Sequence, residues 1–215
     1  AVPSPAWPEP TAIAAAAERL VAAERPVIVT VRAGRDPAVV ADLVGLVDAV
    51  AATLIDGRER VNVPSDHPRC VTSDADSAAA LADADVVVCI DAPIPWVPAF
   101  GGPPADAVVI SIDDDPARSS MPAWSHPVDI AIAASPSVAV RQLLAAVRDR
   151  APDAFLYGNP AMGDRKPVQE PGTAVPTLDA GLVGTVLGEV IDPTDIVVEE
   201  ATTNFDAFRT ALPRT

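Results

Sequence analysis

At 215 residues the chain is long enough for one sizeable core, or for one core and part of another. Hydrophobic residues make up 49% but aromatics only 4%, so the core is expected to be aliphatic, which suits helices stacked on a parallel sheet and not a fibre. A formal net charge of −15 sets the surface against phosphate backbones and anionic lipid, which argues against nucleic-acid and membrane partners.

Residues 1–10, with four prolines, read as an interdomain linker. Thr11 is placed to cap a helix through about Ala23, with Ile13, Ala16, Ala17 and Leu20 at helical spacing. Pro26–Val31 follows as a short aliphatic strand. Asp36 and Pro37 suit the N-cap and first position of a helix to about Ala52, whose apolar face carries Val39, Leu43, Leu46 and Val47. Thr53–Ile55 gives a second strand, ended by Asp56-Gly57. An irregular stretch through Pro68 precedes a short Ala-rich helix at about Ser77–Ala82 and the clearest central strand, Asp85–Asp91. After a Pro-rich loop come a strand at Ala107–Ile112, stopped by Asp113-Asp-Asp-Pro116, and a weaker one at Val128–Ile132. Ser137–Arg150 is an amphipathic helix carrying Val140, Leu143, Leu144 and Val147.

Alternating helices and aliphatic strands imply right-handed crossovers and an α/β, doubly wound, mainly parallel sheet over residues 11–150. Residues 151–176 lack periodicity and read as a linker. Residues 177–215 read as the incomplete start of a second α/β unit: a helix from Thr177 or Asp179 to about Ile191, a strand at Ile196–Val198, and a last helix capped by Thr203 or Asn204.

In doubly wound sheets ligands lie at the carboxyl ends of the strands, where a Gly-rich first turn admits a pyrophosphate. Here the first turn, Thr30–Asp36, holds Gly34 alone, and neither a G-x-G-x-x-G run nor a P-loop exists. Arg32 and Arg35 on that turn are expected to be solvated. Asp56 stands where a ribose-binding acid would, but Asp-Gly is also an ordinary turn. Asp113, Asp114 and Asp115 are expected to cap the turn after their strand and not to hold a metal. His67 and His126 each precede a proline and lack catalytic neighbours; Trp96 and Trp124 are expected to cover a sheet end. Cys70 and Cys89 are read as free buried thiols, which points to the cytoplasm. No signal peptide, lipidation motif or membrane-spanning run is read in these residues, and the chain is expected to be soluble. The turn Thr202-Thr203-Asn204 is the better anion candidate, because hydroxyls and N–H groups converge there ahead of a helix, although helix capping explains the same residues.

Taken together, this order of parts resembles the thiamine-diphosphate-dependent enzymes of the acetolactate synthase, benzoylformate decarboxylase and benzaldehyde lyase group. The resemblance rests on Arg25-Pro-Val-Ile-Val29, Val63-Pro-Ser-Asp-His-Pro68 and Leu81-Ala-Asp-Ala-Asp-Val-Val-Val88. It continues in Pro95-Trp-Val-Pro98, Val109-Ile-Ser-Ile-Asp-Asp-Asp-Pro116 and Val198-Glu-Glu-Ala-Thr-Thr203. It implies a central domain, Rossmann-like, followed by the opening of the diphosphate-binding domain, both cut from a larger enzyme. It implies thiamine diphosphate and Mg²⁺ as cofactors, the former acting as an electron sink for a 2-oxo acid substrate, with decarboxylation or carboligation as the outcome. Thr202 and Thr203, with Ala201 through its backbone, would touch the diphosphate. The glycine-rich turn of flavin-binding members is missing, which speaks against FAD. No catalytic residue and no metal ligand fall within the chain, so the piece alone is expected to be inactive. A homodimer or homotetramer is implied, since the family's site lies between subunits. Two other readings stay open: a non-catalytic nucleotide- or effector-binding module, and a structural spacer.

Overall fold

The computed structural model describes residues 4–57, 59–64, 67–71, 73–118, 126–151, 178–192, 194–195, 197–198, 200 and 204. Six strands form one sheet: β1 (Pro26–Thr30), β2 (Thr53–Asp56), β3 (Cys70–Val71), β4 (Val86–Ile90), β5 (Val108–Asp113) and β6 (Ile130–Ala133). Every pairing is parallel, and the order is β3-β2-β1-β4-β5-β6. That is the order of doubly wound nucleotide-binding sheets, with the reversal between β1 and β4.

The sheet is apolar on both faces because its central strands are mostly aliphatic on each. Ile28, Leu54, Val88, Ile110 and Ile132 point to one face, where they meet Ile13 and Leu20 of α1 (Pro10–Ala22), Leu43 and Leu46 of α2 (Val39–Ala49), and Val140 and Leu143 of α4 (Pro136–Arg150). Val27, Val29, Val87, Cys89 and Val109 point to the other, where Leu81 of α3 (Asp74–Asp83) and Trp96 close the layer. Both cysteines are buried and neither is in a disulfide, and burial pushes the Cys89 thiol up to about 12.

Helix starts depart from expectation in a consistent way. The carboxylate of Glu9, not the hydroxyl of Thr11, caps α1: it accepts from the Thr11 and Ala12 N–H groups, with Pro10 at the first position, which has no N–H to satisfy. Asp36 accepts from Ala38 N at 3.1 Å but heads a turn; α2 begins at Val39 and ends three residues early, at Ala49. There Ala51 adopts a left-handed φ of 53°, and Ala52 N reaches back to Val47 O, which closes the helix. α3 starts before the expected Ser77, because Ser73 accepts from Asp76 N and returns a bond to its carboxylate. The strand β3 was not expected; at two residues it is too short for a hydrophobic period to register.

Beyond residue 177, Asp179 caps α5 (Ala180–Val190) through Leu182 N at 2.8 Å. Of the expected strand at Ile196–Val198, Val197 and Val198 are described; both are exposed and lie in no strand. A strand needs a partner's hydrogen bonds, and no described residue pairs with these two. The expected linker, from residue 152 on, lies outside the described residues, as do Trp124, Ala201, Thr202 and Thr203. Among the described residues no helix is long and apolar enough to cross a membrane.

Candidate functional site

The carboxyl ends of β1 and β4, where the strand order reverses, form the crevice in which a sheet of this type takes a ligand. After Thr30 the chain turns through a short 3₁₀ segment, Ala33–Arg35, anchored by Arg32 N on Asp91 O at 3.1 Å. Gly34 leaves the open face on which a phosphate could lie, but that face is taken. A Cβ at Gly34 would stand 2.0 Å from Val61 O, and Gly34 N donates to Asn62 Oδ1 at 2.8 Å.

Asn62 is fully buried and satisfied by its surroundings. Its Nδ2 donates to Asp56 Oδ1 at 2.7 Å and to Val31 O at 3.1 Å, while its oxygen holds the first turn. Asp56 therefore anchors the loop after β2 and does not face an open crevice. Sequence reasoning missed Asn62; its signal is only that a polar amide stands alone in an irregular stretch, which marks no partner.

The arginines of the first turn are paired and not simply solvated. Arg35 Nε lies 3.0 Å from Asp91 Oδ2, an ion pair without hydrogen-bond alignment, and its Nη2 donates to Asp114 Oδ2 at 2.7 Å. Arg32 Nε is 3.2 Å from Glu59 Oε2. Asp114 thus ties β5 to β1, and Asp113 accepts from Asp115 N at 3.0 Å, the expected turn-capping use. Pro116 lies in a turn, closed by Arg118 N on Asp115 O, and not in a helix. Among the described residues no group of three acidic, His or Cys side chains has metal-site geometry.

Asp91 sits at the centre of this crevice with a left-handed φ of 45°, a region that Asp and Asn tolerate better than most residues. Burial raises its carboxyl above the ordinary range; Arg35 opposes that shift, and Asp113 adds to it. A raised folded value means that the stability tied to this group is fully present below the unfolded carboxylate range and is lost as pH climbs through the raised value. Asp91→Asn removes the buried charge and keeps the shape. It is expected to raise the urea midpoint at pH 7 while leaving it unchanged near pH 3. A lower midpoint at pH 7 would mean that the attraction of Arg35 outweighs burial.

On the β5 side, Arg118 is buried, takes a φ of 51°, and donates through Nη2 to Ala92 O. His126 packs edge-on against Trp96, with ring centroids 4.9 Å apart. Burial first, and then the Arg118 charge, push the His126 imidazole down to about 4. The unfolded chain takes up this proton near pH 6.5, so the stability tied to neutral His126 is present above that value and lost as pH falls towards 4. A proton NMR titration is expected to give a His126 midpoint near 4, and a midpoint near 6.5 would show an open ring. His67 serves the framework elsewhere: its Nδ1 accepts from Arg69 N, and its Nε2 lies 3.3 Å from Asp48 Oδ1.

The crevice is thus closed by side chains of its own chain. Its Gly34 N–H is spent on Asn62, and Arg35 is already paired with the carboxylates of Asp91 and Asp114 and Arg32 with that of Glu59. Such a site does not fit a diphosphate. Ala201, Thr202 and Thr203, the residues expected at the cofactor, lie outside the described residues; Asn204 beside them lies in a turn and is exposed.

Comparison with known proteins identifies the fold. The fold matches a benzoylformate decarboxylase from Polynucleobacter necessarius with a TM-score of 0.75 and 19% identity, over 99% of this chain and 40% of that one. It matches a thiamine diphosphate-dependent 4-hydroxybenzoylformate decarboxylase of Rhodococcus jostii RHA1 with a TM-score of 0.73 and 24% identity, over 99% and 40%. The chain therefore spans about two fifths of the length of these structures. The family model for the central domain of thiamine pyrophosphate enzymes matches residues 13–143, which covers the whole sheet and about half of α4. The chain belongs to the thiamine pyrophosphate enzymes, and its six-stranded sheet is their central domain.

Proposed function

We propose that the protein acts on a 2-oxo acid with thiamine diphosphate and Mg²⁺, releasing carbon dioxide, and that the six-stranded domain serves it as a ligand-free spacer between catalytic parts. Family membership supports the thiamine cofactor, and the two decarboxylases of like fold support the reaction. When bound, the cofactor supplies an electron sink for the carbanion left by decarboxylation.

The observation that carries the spacer role is the filled first turn: Val61 and Asn62 occupy the face of Gly34 that a nucleotide phosphate would need. The same contact weighs against the second reading, a nucleotide- or effector-binding module, and against FAD in this domain. The diphosphate is assigned instead to Thr202 and Thr203, with the backbone of Ala201. The partners are then a small 2-oxo acid and further copies of the chain in a homodimer or homotetramer, in the cytoplasm, without nucleic acid or membrane.

The deciding experiment uses the full-length enzyme with Thr202 and Thr203 both changed to valine. Thiamine diphosphate affinity, read by titration calorimetry with Mg²⁺, is expected to fall at least about tenfold through loss of hydrogen bonds to a charged group. Unchanged affinity would remove both residues from the site. Absence of carbon dioxide release by the wild-type enzyme from benzoylformate and pyruvate would overturn the reaction class. A melting temperature raised by ADP would favour the nucleotide reading.

A further inference from the structure

The amino ends of the strands, on the opposite edge from the crevice, carry a feature that the spacer role leaves unused. A cleft of ≈ 350 Å³ opens between the starts of β1 and β2 and the flank of α3. Its walls include Pro26, Ala51, Ala79 and Ala80, which are apolar and small, and two arginines, Arg25 and Arg69.

The two cations differ in what they have left to give. Arg25 is committed: its Nε donates to Asp83 O at 2.7 Å and lies 3.3 Å from the Asp83 carboxylate, while its Nη1 holds Glu24 at 3.2 Å. Arg69 is only 6% exposed, yet its guanidinium makes a single hydrogen bond among the described residues, from Nη1 to Ala51 O at 2.9 Å. Its Nε and Nη2 find no acceptor among the described residues, and Arg69 lines the cleft. That edge is left for the acceptors of a ligand or of water. Burial draws the Arg69 guanidinium below the ordinary arginine range, and Asp48, shared with His67, pulls the other way.

The Nε–Nη2 edge presents two parallel N–H groups, the geometry that a carboxylate matches with both oxygens. Glu24 and Asp83 on the rim disfavour a second negative charge on the ligand. The alanines of α3 leave room for a few carbons beside it. We propose that this cleft binds a small aliphatic monocarboxylate, held by the free edge of Arg69, with its carbon chain against Pro26, Ala79 and Ala80.

The test reads binding directly and does not depend on activity. Isobutyrate titrated into the full chain is expected to shift the Arg69 Nε–Hε resonance saturably, with a Kd on the order of 1 mM, and to raise the melting temperature. Isobutyramide, of the same shape without charge, is expected to do neither. Ala79→Leu fills the cleft from an exposed helical position that tolerates leucine, and is expected to abolish the shift. Arg69→Lys keeps the charge and loses the fork, and is expected to weaken binding about tenfold. If that variant fails to fold, the leucine variant decides. No saturable shift at about fifty times the expected Kd, an equal response to isobutyramide, or wild-type binding by Ala79→Leu would each overturn the proposal.

Discussion

Gly34→Ala is expected to cost the protein about 3 kcal/mol of stability, read as a lower urea midpoint at unchanged slope. The added methyl would stand 2.0 Å from Val61 O and 2.8 Å from Val61 C, and both are backbone atoms that cannot rotate aside. Relief requires the segment through Val61 and Asn62 to move off the first turn. Asn62 would then lose Gly34 N, and with it the alignment of its bonds to Val31 O and Asp56. Overpacking alone costs about 1–3 kcal/mol, and a buried amide left unsatisfied costs a similar amount, so the two together exceed either. Asn62→Ala should lose somewhat less, since it removes the bonds without the clash. A Gly34→Ala protein with the wild-type midpoint would show that the loop does not rest on the turn.

Leu143→Ala is expected to cost about 3–4 kcal/mol through the cavity it leaves in a core that cannot collapse around it. Leu143 is wholly buried on α4, and that helix packs against both α1 and α2. The loss removes contacts on both flanks, and the strands beneath, held in register, give no backbone that could sink into the gap. The exposed Asp149→Ala on the same helix should stay within about 0.5 kcal/mol of wild type. A loss below about 1 kcal/mol for Leu143→Ala would mean that α4 is not a layer of the core.

Much of the sheet was legible because β1, β4 and β5 are aliphatic on both faces and lie between clear turn residues. β3 was not, since Cys70 and Val71 are too few to show a period and their pairing with β2 is set by distant chain. The caps went to Glu9 and Ser73 because a carboxylate or hydroxyl a few positions upstream lets the helix begin before Thr11 or Ser77, and spacing alone does not rank such starts. In the crevice, the scarcity of glycine was visible, but what fills the space was not. Arg35 finds Asp91 and Asp114, and Gly34 finds Asn62, only through the strand order, and no local pattern in the sequence carries those partners.

The first and last helices of the domain are neighbours: α1 packs on α4, and Ser135 N donates to Ala6 O at 3.0 Å. During synthesis on the ribosome, α1 therefore emerges with its Ile13 and Leu20 face bare. The helix that covers it follows roughly a hundred residues later, a wait on the order of ten seconds at ordinary elongation rates. The nascent chain must hold an uncovered apolar helix through that interval, which makes the unfinished domain a natural client for a chaperone.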